Sequence, residues 1–289
     1  MEIKMKIACG IVLFFPNDLE ISRIESKLSE FSMVVVFDNS EYGKREKYIE
    51  LQNEFKQKEV DYYYEMTNVG LSKAYNTMCK LAYDAGCDFL LLLDQDSNFS
   101  NSNIRNMVRF IAGFEEKEKI GIFAPTIRYD HKDISPTTQE NEYTYVDWAI
   151  SSGSFINLDI YMKTPGFDNF LFIDRVDDDY SRMLIKNGYK IVRNNHLFLE
   201  QELGETIVRG KKKVTEHSSL RHYYMSRNRL YIYRKYDSYL EFLIKGFFRT
   251  LRQITQILLY QTDKKNKLIS VFRGIKDFIV ERRERTNIT

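Results

Sequence analysis

Across the first hundred positions, short unbroken apolar runs alternate with stretches in which apolar residues recur at helical spacing. Lys6–Phe15 opens with an apolar run that predicts a strand, and Leu19, Ile24, Leu28 and Phe31 then follow a helical period, with Asn17 or Asp18 as the N-cap. Met33–Phe37 is a second predicted strand, closing on Asp38-Asn39-Ser40, and residues 42–58 are polar and mostly helical. Val60–Tyr64 reads as a third strand, Leu71–Ala85 as a helix, and Phe89–Leu93 as a fourth strand. The last is apolar throughout, as a strand covered on both faces must be. Strand–helix alternation implies parallel strands joined by right-handed crossovers. The polar strand ends at Asp38, Asn68 and Asp94 then share one edge of one sheet.

Beyond residue 100 the pattern is mixed. Ile104–Phe114 is helical, Gly121–Ile127 strand-like, and Tyr143–Trp148 and Ser154–Leu158 predict two further strands. Arg175–Lys186 has helical spacing, Tyr189–Val192 and Leu197–Leu199 are short strands, and from about His217 only helices are expected. The chain has 289 residues with 43% apolar and 29% charged side chains, the balance of a soluble globular protein. Cys9, Cys79 and Cys87 show no metal spacing and fit structural thiols in a reducing compartment. Residues 7–15 are too short, and broken too soon by Pro16, to be a secretory or spanning helix. Charge is uneven: residues 245–285 hold eleven Lys or Arg against four Asp or Glu, so a basic tail follows a body of net charge −5. Such a tail suits an anionic surface or ligand.

The chemistry concentrates at Asp94-Gln95-Asp96. Carboxylates at i and i+2 where a buried strand emerges can hold a hard divalent cation that also holds phosphate oxygens. Taken alone, the same residues more readily suit a turn. Their company decides between the two. In chain order come Phe15-Pro16-Asn17, Asp38-Asn39-Ser40, Asn68-Val69-Gly70-Leu71-Ser72-Lys73-Ala74 through Asn76, and Leu93-Asp94-Gln95-Asp96-Ser97. There follow Ser152-Gly153-Ser154, Gly166-Phe167-Asp168, Phe172-Ile173-Asp174 with Val176 to Tyr180, Gly188-Tyr189, and His217 with Arg221, Tyr223-Tyr224 and Arg227-Asn228. From about residue 7 to residue 235 this series resembles family 2 glycosyltransferases of the GT-A fold, most closely the bacterial rhamnosyltransferase and galactofuranosyltransferase branch.

The resemblance implies an α/β GT-A domain, with a Rossmann-like mixed sheet, over residues 1–215. The resemblance leaves residues 216–289 as a helical C-terminal region, whose basic amphipathic pattern suits an anionic membrane, packing on the catalytic domain, or a second subunit as a homodimer. It implies that Phe15, Asn17, Asp38, Asn68, Lys73, Asp94, Gln95 and Arg221 bind a UDP or dTDP sugar, with Asp38 accepting the imide N–H of the base. Asp96 with Asp94 would hold Mn2+ or Mg2+, and Asp177 falls in the catalytic-base position. Ser152, Gly153 and Asp179 would meet the acceptor, a glycan or lipid-linked glycan of a bacterial capsule or O-antigen, at the cytoplasmic face of the membrane. No nucleic acid is expected as a partner. Two departures stand out: Met183 replaces an expected Arg, and Gln201 takes the place of the family's metal-binding His, with His196 or His217 as substitutes. The rival readings are a nucleotidyltransferase, disfavoured by the lack of a Gly-rich phosphate loop, and a carbohydrate-binding subunit whose catalysis is impaired.

Overall fold

A computed structural model describes residues 5–41, 45–129, 132–133, 141–201, 206–209 and 212–286. The strands are β1 (Ile7–Leu13), β2 (Met33–Asp38), β3 (Asp61–Tyr64), β4 (Phe89–Asp94), β5 (Ile120–Tyr129), β6 (Lys132–Asp133), β7 (Tyr143–Tyr145), β8 (Phe155–Asn157) and β9 (Lys190–Gln201), then the hairpin β10 (Thr206–Arg209) and β11 (Lys212–Thr215). The helices are α1 (Asp18–Glu25), α2 (Arg45–Gln57), α3 (Leu71–Asp84), α4 (Asn101–Gly113), α5 (Leu158–Met162), α6 (Val176–Lys186), α7 (Ser219–Tyr236), α8 (Tyr239–Tyr260) and α9 (Lys264–Thr286).

The chain forms two compact units, residues 1–170 with 180–202, and residues 171–179 with 203–289. In the first, one sheet runs β3-β2-β1-β4-β8-β5-β9-β7, with β6 paired to β5. Strands β3, β2, β1 and β4 are parallel, as the alternation predicts. Strand β8 then enters antiparallel between β4 and β5, which makes the sheet mixed. The predicted pair Tyr189–Val192 and Leu197–Leu199 is one strand, β9. Its pairing with β5 shifts register between Ala124 and Thr126, and at the kink Asn194 Oδ1 accepts from the N–H groups of His196 and Leu197. The predicted strand over Ser154–Leu158 stops at Asn157, whose side chain caps α5.

Alternate β-branched and aliphatic side chains of β1, β2 and β4 feed one core with Leu51 and Phe55 of α2 and Ile104, Met107 and Ile111 of α4. All three cysteines are buried thiols, and burial pushes Cys9 up to about 12. That keeps it protonated and inert.

In the second unit α7 and α9 cross closely, and a chain of polar side chains runs through the interior. Arg229 Nη2 donates to Gln253 Oε1 (2.5 Å), Gln253 Nε2 to His222 Nδ1 (3.0 Å), and Lys267 Nζ to Gln261 Oε1 (3.1 Å). Because Nδ1 of His222 accepts, its proton sits on Nε2 and points at Gln261 Oε1, 2.8 Å away. No described helix is long and apolar enough to cross a membrane.

Candidate active site

The registers Leu13↔Asp38 and Val12↔Asp94 bring the carboxyl ends of β2 and β4 to either side of the end of β1. Open α/β sheets bind ligands along this edge. Phe15, just past β1, adopts φ 50° and its ring is half exposed, while its N–H donates to Ser40 Oγ (2.6 Å). Asn17 is the N-cap of α1, in a reciprocal capping box with Glu20. Asp38 is fully buried: Ser40 N–H (2.9 Å) and the Tyr62 hydroxyl (2.6 Å) donate to its two oxygens. Here it braces the end of β2.

Gly70, at φ 83°, starts α3 without a side-chain cap, which leaves N–H groups of the first turn toward this edge. The Asn68 side chain accepts from Gly70 N–H (3.0 Å), and Asn39 bridges the same turn through Val69 N–H and Gly70 O. Lys73 is exposed and paired with Glu65 at 2.6 Å. One turn on, Asn76 uses both ends of its amide on the Gly166–Asn169 turn, which gives that residue a positioning role.

The Asp94-Gln95-Asp96 turn is held from three directions. Gln95 accepts from Phe14 N–H (2.7 Å) and donates to Phe14 O and Glu20 Oε1, so it works as a clamp on the β1–α1 loop. The buried Ser152 hydroxyl bonds Asp94 N–H (3.2 Å) and Ser97 Oγ (2.5 Å). Gly153 sits at φ 82°, where a Cβ would lie 3.0 Å from Leu199 and Pro125. From the third side, α1 and the residues that follow it present Glu20, Arg23 and Lys27. Arg23 reaches Asp96 O (3.3 Å) and the buried Lys27 reaches Phe99 O (2.7 Å). Burial, the largest influence, draws the Lys27 ammonium down from its usual range. These two residues carry no sequence signal, since charges spaced i and i+4 near a short helix read as a solvated face.

Two carboxylates on such a turn fit a hard cation. Glu200 and Asn98 exchange both backbone hydrogen bonds (3.1 and 3.2 Å), which ties the end of β9, and with it Gln201, to the segment two residues past Asp96. Among the described residues no three His, Cys, Asp or Glu side chains converge. Beyond Asp94 and Asp96, the carboxamide oxygen of Gln201, water and the anionic phosphate oxygens of a substrate are the oxygen donors that would suit such an ion. His196 is exposed, beside the buried Asn194 and Asn195 at the kink of β9.

In the C-terminal unit, Asp174 and Arg175 both adopt left-handed φ, 69° and 66°, immediately before α6. Two successive non-glycine residues there cost about 1 kcal/mol or more each. The turn persists because α7 holds it: Asn228 Nδ2 donates to Ile173 O (2.8 Å) and Asp174 O (2.9 Å), and Tyr224 stacks on Phe172 with ring centroids 5.0 Å apart. Burial raises the Asp174 carboxyl, against the charges of Arg175, Arg221 and Arg229. The turn delivers Asp177, half-buried, into the first turn of α6. Asp178 pairs with Arg175 (3.1 Å). Asp179 is buried with both oxygens on Lys235 (2.8 and 3.0 Å), an arrangement that anchors the start of α6 and leaves little for an acceptor. Arg221 is exposed on the first turn of α7, which Ser218 caps.

Burial pushes His217 down to about 4, helped by Arg221, His222 and Lys267, and burial lowers His222 as well. Both rings are thus neutral in the folded chain at pH 7. Below pH 6.5 the unfolded chain binds the extra protons, so stability is full above that value and falls as pH drops toward 4. With solvent screening of the half-buried ring, His217 should account for about 1–2 kcal/mol of that loss. Denaturant melts of wild type and His217→Asn between those limits should show a shallower slope in the variant.

The profile of Glycosyl transferase family 2 matches residues 21–172. A dTDP-rhamnosyl transferase, RfbF of Shigella flexneri, is 22% identical over 225 residues, covering 72% of this chain and 76% of the relative. Of solved structures, S. aureus TarS 1-349 in complex with UDP-GlcNAc superposes with a TM-score of 0.56 at 14% identity, over 95% of this chain and 81% of that one. GalNAc-T7 with UDP, GalNAc and Mn2+ gives 0.56 at 14% identity over 70% of this chain, which spans only 44% of its length. At these identities the structures establish a shared GT-A fold.

Proposed function

Because the chain belongs to glycosyltransferase family 2, we propose that it moves a sugar, rhamnose before galactofuranose, from a UDP or dTDP sugar to a glycan or lipid-linked glycan of a bacterial surface polysaccharide, with inversion. The observation that carries this reading is the Asp94-Gln95-Asp96 turn at the end of β4, braced by Ser152, Gln95 and α1 beside the ends of β1 and β2. The rhamnosyl relative favours a dTDP donor.

Asp96 and Asp94 would hold Mn2+ or Mg2+, which supplies charge stabilisation for the departing diphosphate. The half-exposed ring of Phe15 is suited to stacking on the base, and the open first turn of α3 beyond Asn68 to a phosphate. For Asp38 to meet the base, the Tyr62 or Ser40 hydroxyl must give way, or itself relay the contact. Asp177 takes the proton as the acceptor oxygen bonds to the anomeric carbon and the bond from that carbon to the diphosphate breaks. Arg221 is read as a phosphate contact, Lys73 as a second after release from Glu65, and Ser152, Gly153 and Asp179 as positioning residues. A lipid-linked acceptor would place the enzyme at the cytoplasmic face of the membrane.

Calorimetry against dTDP-rhamnose, UDP-galactofuranose and UDP-GlcNAc, with and without Mn2+, tests the reading. dTDP-rhamnose should bind tightest and only with metal, and Asp96→Asn should weaken it by about 10- to 100-fold. Metal-independent binding, or preference for UDP-GlcNAc, would overturn the donor assignment.

A further inference from the structure

Helix α8 turns only a narrow side toward its own unit, burying Phe242, Gly246, Gln253 and Ile257. Its opposite side carries Leu240, Ile244, Phe247, Phe248, Leu251 and Leu259, each between 48% and 66% exposed. At about 100° per residue these six fall within an arc of roughly 120°. An apolar stripe this long on a helix surface marks an interaction site.

The margins of the stripe distinguish between occupants. Along one margin lie Lys245, Arg249 and Arg252, with Glu241 at its start. Lys245 is shared with Asp237 (3.0 Å) and Glu241 (3.3 Å), while neither guanidinium has an ion-pair partner among the described residues. Leu243, Thr250 and Ile254 form the other margin, which holds no charge. If two copies paired antiparallel through this stripe, each margin would meet itself and the arginines would face arginines. In a parallel pairing they would face the uncharged margin. Neither arrangement supplies a countercharge, whereas an anionic lipid surface supplies one along the whole row.

We propose that α8 lies in the boundary between headgroups and acyl chains of an anionic membrane, with its Phe and Leu side chains inserted and Arg249 and Arg252 on lipid phosphates. The helix attaches without spanning, in keeping with the absence of any described helix apolar enough to cross. This goes beyond the donor chemistry and does not depend on it.

The test is sedimentation of the full chain with vesicles of phosphatidylcholine alone and with added phosphatidylglycerol, across a salt series. Binding should require phosphatidylglycerol and weaken with salt. Phe247→Ser with Phe248→Ser should abolish it, and Arg249→Gln with Arg252→Gln should weaken it roughly thirtyfold, at about 1 kcal/mol per charge near the surface. The substituted side chains are exposed, so circular dichroism and nucleotide-sugar binding should match wild type in both variants. Failure here therefore leaves the donor reading standing. No sedimentation at low salt, or variants that bind like wild type, would overturn the inference. So would a concentration-dependent dimer that the Phe variant dissociates while vesicles bind neither form; the occupant would then be a second copy.

Discussion

Replacing Asp177 by Asn should lower kcat by about 10²–10⁴-fold while the donor KM stays close to wild type. The substitution keeps shape and removes the one property the assignment needs, a carboxylate able to take a proton. The turn before it and the start of its helix have supports of their own. Asn228 and Tyr224 hold the preceding turn, and Lys235 anchors the start of the helix through Asp179. Progress curves with a saturating donor would check the result. If Asp177→Asn turned over at more than about a tenth of the wild-type rate, another group would have to take the proton. Replacing Asp179 is expected to do something different, because the Lys235 ammonium would be left half-buried beside a neutral partner. The melting temperature, rather than kcat alone, should register that loss.

The second large effect is structural. Gly274→Ala should destabilise the C-terminal unit by about 2 kcal/mol, although alanine is the better helix former. A Cβ at Gly274 would stand 2.5 Å from Tyr223 O and closer still to Ser226 Oγ, at the crossing of α9 over α7. Ser226 cannot turn away without cost, since it is fully buried and its hydroxyl donates to the Tyr223 and Val271 carbonyls. The obstacle is backbone, so the helices themselves must separate. Gly→Ala at an unstrained helical site would instead gain about 0.5–1 kcal/mol. The sign of the change in melting temperature therefore reports whether the two helices pack this closely. A rise would place them further apart.

How much of this was legible in the sequence depends on the range of the interaction. Strands β1, β2 and β4 announce themselves because a both-sides-buried strand is a continuous apolar run, and the polar residues that end them mark the shared edge. The three-residue strand β8 also reads as a strand, over Ser154–Leu158, but its antiparallel place between β4 and β5 is set by tertiary pairing and not by local propensity. Likewise β9 reads as two strands, since Asn194, Asn195 and His196 interrupt its period, yet the strand passes through them by way of the kink. At the site, residue type pointed to Gln95, Ser152 and Asp179 as ligand contacts. Their partners, Phe14, Asp94 N–H and Lys235, stand 81, 58 and 56 positions away, and spacing along a chain does not reveal pairings of that kind. A boundary drawn at one point in the chain also cannot express that residues 171–179, in the middle of the sequence, pack with the C-terminal helices.

The clamp between Gln95 and Phe14 has a thermodynamic corollary. A side chain there does what a neighbouring strand would do, engaging both the N–H and the carbonyl of one residue. Glu20, Arg23 and Lys27 extend the same fastening along α1. The loop bearing Phe15 and the turn bearing Asp96 are consequently fastened to each other. On the proposed reading, with a cation at the turn and a nucleotide at the loop, ordering one segment would lower the entropy cost of ordering the other, so each ligand should raise the other's affinity. Reciprocity makes that factor the same in both directions.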